Sequence, residues 1–282
     1  MFRPIFLALL LLVALPVLAD DYYLIEMNAP GQAIFDGCSN FFWDADAIFY
    51  NLGADDQVVT LAGVSNGEVP TYLPTSFHVA PGRAASLRQA IGIPWAPASA
   101  PPMWIIHITA PPALLVDSEM PLAIVVGGSV NGVCQRQVLF MQQNGKTQLP
   151  VFRSLVAASQ RQVIRGLSIG AVPGHINVAI YNGGANTASA TIEVHRACDG
   201  AITETRNVVI GPNIAQQFTG FAIPETVNAC AQLDPSAGTN GLAYVIVTVD
   251  QPSLTFASIL GTSSVTNNQP GSTIQVMPGV AQ

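Results

Sequence analysis

Lysine is nearly missing from this chain. Lys146 is the only one, and charged residues are 10% of the 282. Ten Lys and Arg stand against 17 Asp and Glu, a formal net charge of −7. So few cations cannot neutralise a run of phosphates, which excludes nucleic acid as a partner. The Ala/Glu/Lys/Leu richness of helical bundles and coiled coils is absent as well. No Cys-x-x-Cys spacing occurs among the four cysteines, so a closely spaced redox or metal site is not expected. After the first 19 residues no segment is long and apolar enough to span a bilayer, and the mature form is expected to have no membrane span. What the chain does have is apolar residues (50%), 24 Gly, 21 Pro and a mean hydropathy of +0.41.

Residues 1–19 read as a secretory signal peptide. Arg3 supplies the positive start, Ile5 to Leu15 the short apolar stretch, and Val17-Leu18-Ala19 the small-residue cleavage pattern. The cut is placed after Ala19, which makes the protein secreted, periplasmic or cell-surface. The mature charge is −8, nearly all of it in residues 20–143, where 11 acids face three bases. In an exported chain four cysteines favour two disulfides, with three connectivities open. Cys198–Cys230 and Cys38–Cys134 are preferred because each pair stays within one expected domain.

A duplication organises the chain. Ile48-Phe49-Tyr50-Asn51-Leu52-Gly53-Ala54 matches Ala179-Ile180-Tyr181-Asn182-Gly183-Gly184-Ala185, and Val79–Gly82 lines up with Val209–Pro212. Trp104–Thr109 parallels Tyr244–Val249. The offsets are 131, 130 and 140 residues, and three ordered matches at near-constant spacing indicate a module written twice. Each copy reads as strands. Ile192 and Val194 alternate with Thr191, Glu193 and His195, the period of a sheet with one wet face. Ile176–Tyr181 and Ala190–His195 flank Asn182-Gly183-Gly184, which reads as a hairpin turn because Asn and Gly tolerate φ > 0. Further strands are expected at 205–210, 243–249 and 254–260, with one short helix-like patch near 84–91. The expected organisation is all-β: two tandem antiparallel β-sandwich domains, 20–143 and 144–282, joined near the polar stretch 142–147.

The run Ile180–Val194 followed by Val208–Pro212 resembles tandem immunoglobulin-like β-sandwich modules of secreted bacterial proteins. The resemblance covers most of residues 30–265 and is architectural. The antibody-type Cys…Trp…Cys spacing is absent. It implies scaffolding, adhesion or binding.

Several residues carry candidate chemistry. Gly166-Leu167-Ser168-Ile169-Gly170 matches the G-x-S-x-G nucleophile elbow, but that motif needs a strand-to-helix turn, and Ala171-Val172-Pro173-Gly174 follows instead. Ser168 is therefore read as a strand serine, with a hydrolase as the remote alternative. His78, His107, His175 and His195 show no local zinc-ligand spacing. Asp44, Asp46, Asp55 and Asp56 flank the strand at 47–52 and would offer hard oxygens to Ca²⁺ if its ends met; otherwise they are solvated turns. Trp95, in a Pro/Ala-rich loop, and Tyr72, before a proline, are candidates for stacking on a glycan. Tyr22, Tyr23 and Phe41–Trp43 read as residues packing on the core of their own module. The expectation is a non-catalytic exported protein without a cofactor, acting through a protein partner or self-assembly. A carbohydrate-binding module is the alternative.

Overall fold

The structure is a computed structural model describing residues 19–27, 40–43, 46–66, 75–91, 103–130, 133–139, 146–169, 174–222, 241–261 and 274–282. Residues 1–18, Cys38, Asp44, Tyr72, Trp95 and Cys230 lie outside them. Among the described residues no helix is long and apolar enough to cross a membrane.

The chain is all-β with antiparallel sheets. The first half holds β1 (Asp20–Met27), β2 (Asn40–Trp43), β3 (Asp46–Asn51), β4 (Gln57–Val64), β5 (Ser76–Val79), β6 (Ala84–Ser86), the single turn α1 (Leu87–Ile91), β7 (Met103–Ala110), β8 (Leu114–Val130), β9 (Val133–Leu139) and β10 (Lys146–Gln148). The second half holds β11 (Arg161–Ile169), β12 (Gly174–Asn182), β13 (Ala188–Arg196), β14 (Ile202–Ile210), β15 (Ile214–Ala222), β16 (Gly241–Val249), β17 (Ser253–Gly261) and β18 (Ile274–Ala281).

Strand order repeats from one half to the other. The first has a sheet β5-β4-β7-β1 and a sheet β6-β3-β8-β10, with β2 and β9 also on β8. The second runs β14-β13-β16-β11 and then, through β18, into β17-β12-β15. Apart from β2 and β9, which have no counterpart, and the pairing of β18 with β11, each strand thus has the same neighbours as its counterpart. The pairing registers also refine the sequence alignment. Tyr50 lies between Ala84 and Leu115, and Tyr181 lies between Ala215 and Leu254. Leu61 pairs with Ile108 as Ile192 pairs with Val247, so Ile105, and not Trp104, shares its place with Tyr244.

β18 closes the second half toward a barrel. Its first part, Ile274–Pro278, pairs with β17, and Gly279–Ala281 pairs with β11. A Cβ on the buried Gly279 would fall within contact distance of Thr255 Oγ1 and 3.1 Å from the Thr255 carbonyl, so only glycine lets the strand change sheets here. The first half closes in the same way over a shorter path. Lys146–Gln148 pair with β8, and Phe152 then exchanges backbone hydrogen bonds with Tyr23 of β1. The polar stretch at 142–147 therefore leads into an edge strand of the first half.

The expected hairpin at Asn182-Gly183-Gly184 is not formed. β12 pairs with β15 and β17 while β13 pairs with β14 and β16, so the segment arches from one sheet to the other. None of its three residues has positive φ. Its glycines are required by close packing: a Cβ on Gly183 would sit 2.5 Å from Leu155, and one on Gly184 2.6 Å from Gln251. β16 and β17, consecutive in sequence, likewise do not pair with each other: β16 lies between β13 and β11, and β17 between β12 and β18.

Three apolar clusters follow from this layout. Tyr22, Leu24, Phe49, Leu61 and Ile108 belong to the core between the sheets of the first half. Ile164, Ile180, Ile192, Val247 and Phe221 belong to that of the second. The third draws on both halves, bringing Tyr23, Ile25 and Ile105 against Tyr181, Leu254 and Phe256.

Candidate functional site

The shared Tyr-Asn motif is a structural device. Asn51 and Asn182, at the ends of β3 and β12, are both fully buried. Asn51 Nδ2 donates to the carbonyls of Asp55 and Val79, and its Oδ1 accepts from Gly53 N at 2.9 Å. Asn182 Nδ2 donates to the carbonyls of Asn186, Ile210 and Gly211, and its Oδ1 accepts from Gly184 N at 2.9 Å. The shared partners are displaced by the same 131 residues. Each amide satisfies loop backbone that would otherwise be buried without partners.

The three described candidate calcium ligands, Asp46, Asp55 and Asp56, are held at opposite ends of β3. Asp46 begins the strand and accepts a hydrogen bond from Ser86 Oγ. Asp55 and Asp56 follow its far end, separated from Asp46 by an extended strand of roughly 16 Å. Asp56 Oδ2 is 2.5 Å from His78 Nδ1, both side chains being exposed. Among the described residues no three His, Cys, Asp or Glu side chains converge as metal ligands.

Two histidines stack on tyrosines of a paired strand, at places that the repeat does not relate. His107 lies 4.5 Å from Tyr23, nearly parallel to it, with Nε2 2.9 Å from Asp21 Oδ1. His195 stacks on Tyr244 at 4.7 Å, donates from Nδ1 to the Gly200 carbonyl, and has Nε2 3.5 Å from Glu193. His175 lies in β12, opposite Ala222 and Leu260. Ser168 lies inside β11 opposite Leu242, a strand position and not a strand-to-helix turn. Cys198 is disulfide-bonded.

The principal feature that sequence reasoning missed is the joint between the halves. Tyr22 packs in its own core, but Tyr23 faces the opposite way and meets Tyr181 at 6.4 Å between ring centroids. Burial raises both phenols above the usual tyrosine value, assisted by Asp21 at Tyr23 and by Tyr23 at Tyr181. The available signal was in β7, where Ile105 and Ile106 are consecutive and both buried; apolar residues on both sides of a strand mean that both faces are covered. Asparagines rim the joint. Asn213 O accepts from Asn66 N, Asn213 Nδ2 donates to Val64 O, and Asn66 Oδ1 accepts from Ala215 N. Tyr181 Oη adds a bond to Asn213 Oδ1 at 3.0 Å.

The corresponding outer face of the second half carries a groove of about 490 Å³ over β11 and β16, lined by Arg161, Val163, Arg165, Tyr244 and Ile246 among others. Its register matches the covered face of the first half, with Val163 opposite Ile246 as Tyr23 is opposite His107.

No protein-family model matches the chain. No curated protein matches it. Among solved structures, the crystal structure of Thermotoga maritima 1070 aligns with a TM-score of 0.30 and 15% identity, covering 45% of this chain and 97% of that one.

Proposed function

We propose that this is an exported, non-catalytic protein made of two copies of one β-sandwich module, acting in binding or assembly at or outside the cell envelope. The observation that supports it is the joint: sheet-built units fused face to face through Tyr23, Ile25, Ile105, Tyr181, Leu254 and Phe256 make a stiff block whose remaining faces are broad sheet surfaces. Such a block suits a scaffold better than a catalyst, which needs a concave site with convergent polar groups. The reading places residues 1–19 as a removed signal and pairs Cys198 with Cys230 and Cys38 with Cys134, bridges suited to an oxidising compartment.

A fluorophosphonate probe tests the non-catalytic reading. The mature protein should remain unlabelled; an adduct lost in Ser168→Ala would overturn it. N-terminal sequencing of the exported protein should begin at Asp20, and non-reducing peptide maps should show the two named bridges.

A further inference from the structure

The internal joint is heterologous: the β1–β7 face of the first half meets the β12–β17 face of the second. Because the halves repeat, each of these faces has a counterpart that takes no part in the joint, exposed at Leu115 on the first half and nearly closed at Val163 (5% exposed) and Ile246 (6% exposed) on the second. On the first half it is the outer face of β3, β6 and β8. There Tyr50, Ala84 and Leu115 hold the places that Tyr181, Ala215 and Leu254 hold in the joint. Leu115 is 54% exposed, whereas Leu254 is 1% exposed. On the second half it is the grooved face of β11 and β16.

We infer that the joint is repeated between molecules, the Tyr50–Leu115 face of one copy docking on the β11–β16 groove of a second, so that copies join head to tail. The inference rests on the assembly reading above and names its partner as a second copy of this chain.

Charge favours this pairing over a symmetric one. Exposed Arg161 and Arg165 line the groove. On the opposing face Asp117 stands beside Leu115, at the place that Phe256 occupies in the joint. The first half also carries nearly all of the net negative charge, so two first-half faces repel while the acidic and basic faces attract. The asparagine rim is not repeated: Gly82 stands where Asn213 does, and Arg196 stands where Asn66 does, bonded to Asp199. Association is therefore weaker than the internal joint and depends on concentration. A heterologous contact leaves a competent face at each end, so it adds copies one at a time, into a ring where the rotation closes and an open chain where it does not.

Sedimentation velocity of the mature protein tests this with two exposed-site variants, Leu115→Arg and Arg165→Glu, each checked for unchanged circular dichroism and melting temperature. The wild type should show stepwise growth in mass with concentration, and each variant alone should run as one chain. Their equimolar mixture should form a dimer and stop there, because each molecule keeps one competent face. A wild type at single-chain mass throughout, a variant that dimerises alone, or a mixture that stays monomeric overturns the inference. None of these outcomes bears on the non-catalytic reading, which fails only if the probe labels Ser168.

Discussion

Asn66 and Asn213 clasp one another across the joint, each in the left-handed region with φ of 63° and 54°. Asn66 N donates to the Asn213 carbonyl at 2.8 Å, and the side chains bond to backbone groups on the opposite half. Asparagine is the non-glycine residue best suited to such a backbone. The clasp fixes the angle between two sheets that apolar packing alone would leave free to slide.

Replacing Asn213 separates these contributions. Asn213→Gly loses the bonds to Tyr181 and Val64 but keeps the backbone conformation, and is expected to cost about 1–2 kcal/mol. Asn213→Ala adds left-handed strain of about 1 kcal/mol. Urea titration should rank wild type above the glycine variant and that above the alanine variant; equal midpoints for all three would remove the clasp from the energetics.

Asn51 and Asn182 make a paired prediction. Changing either to Asp keeps the shape but removes every donor, leaving buried carbonyls facing a carboxylate. Each variant is expected to lose roughly 2–4 kcal/mol, given about 1–3 kcal/mol per orphaned group. Thermal unfolding should show similar losses for the two, since the sites share their bonding pattern; a large loss at one and none at the other would deny them a common role.

Gly279→Ala and Gly82→Ala distinguish two reasons for glycine. At Gly279 a methyl group meets Thr255, whose hydroxyl is tied to the buried Gln162 at 2.8 Å, and overpacking of this kind costs about 1–3 kcal/mol. Gly82 has open space around it but φ of +64°, so its cost is about 1 kcal/mol of backbone strain. Denaturant midpoints should fall further for Gly279→Ala.

The tyrosines at the joint make stability sensitive to alkali. Burial favours the neutral phenols of Tyr23 and Tyr181 and raises their folded-state pKa above the ordinary value of 10.0. Their contribution is complete below that value and is lost as pH rises through the raised values. Tyrosinate absorbance should lag the ordinary titration until structure is lost. In Tyr23→Phe with Tyr181→Phe, the alkaline decline in stability should be shallower.

Much of the fold could be read from local pattern. Alternation at Ile192 and Val194 located β13, and the Tyr-Asn repeat marked the duplication because Asn51 and Asn182 perform the same local task. What could not be read was non-local. The glycines after Asn182 looked like turn residues, but their reason lies in Leu155 and Gln251, distant in sequence. From sequence Tyr23 reads as part of its own module's core, because one strand's pattern does not say which of two covered faces a residue serves. The carboxylates around β3 were adjacent in sequence, and an extended strand holds Asp46 away from Asp55 and Asp56.

The central claim is that one module occurs twice and its copies are fused through a buried joint. A crystal structure of the mature protein tests it most directly. Superposing β3–β8 on β12–β17 should overlay Asn51 on Asn182 with their carbonyl partners, and Tyr23 should pack against Tyr181. Differing strand orders in the two halves, or solvent between Tyr23 and Tyr181, would contradict it.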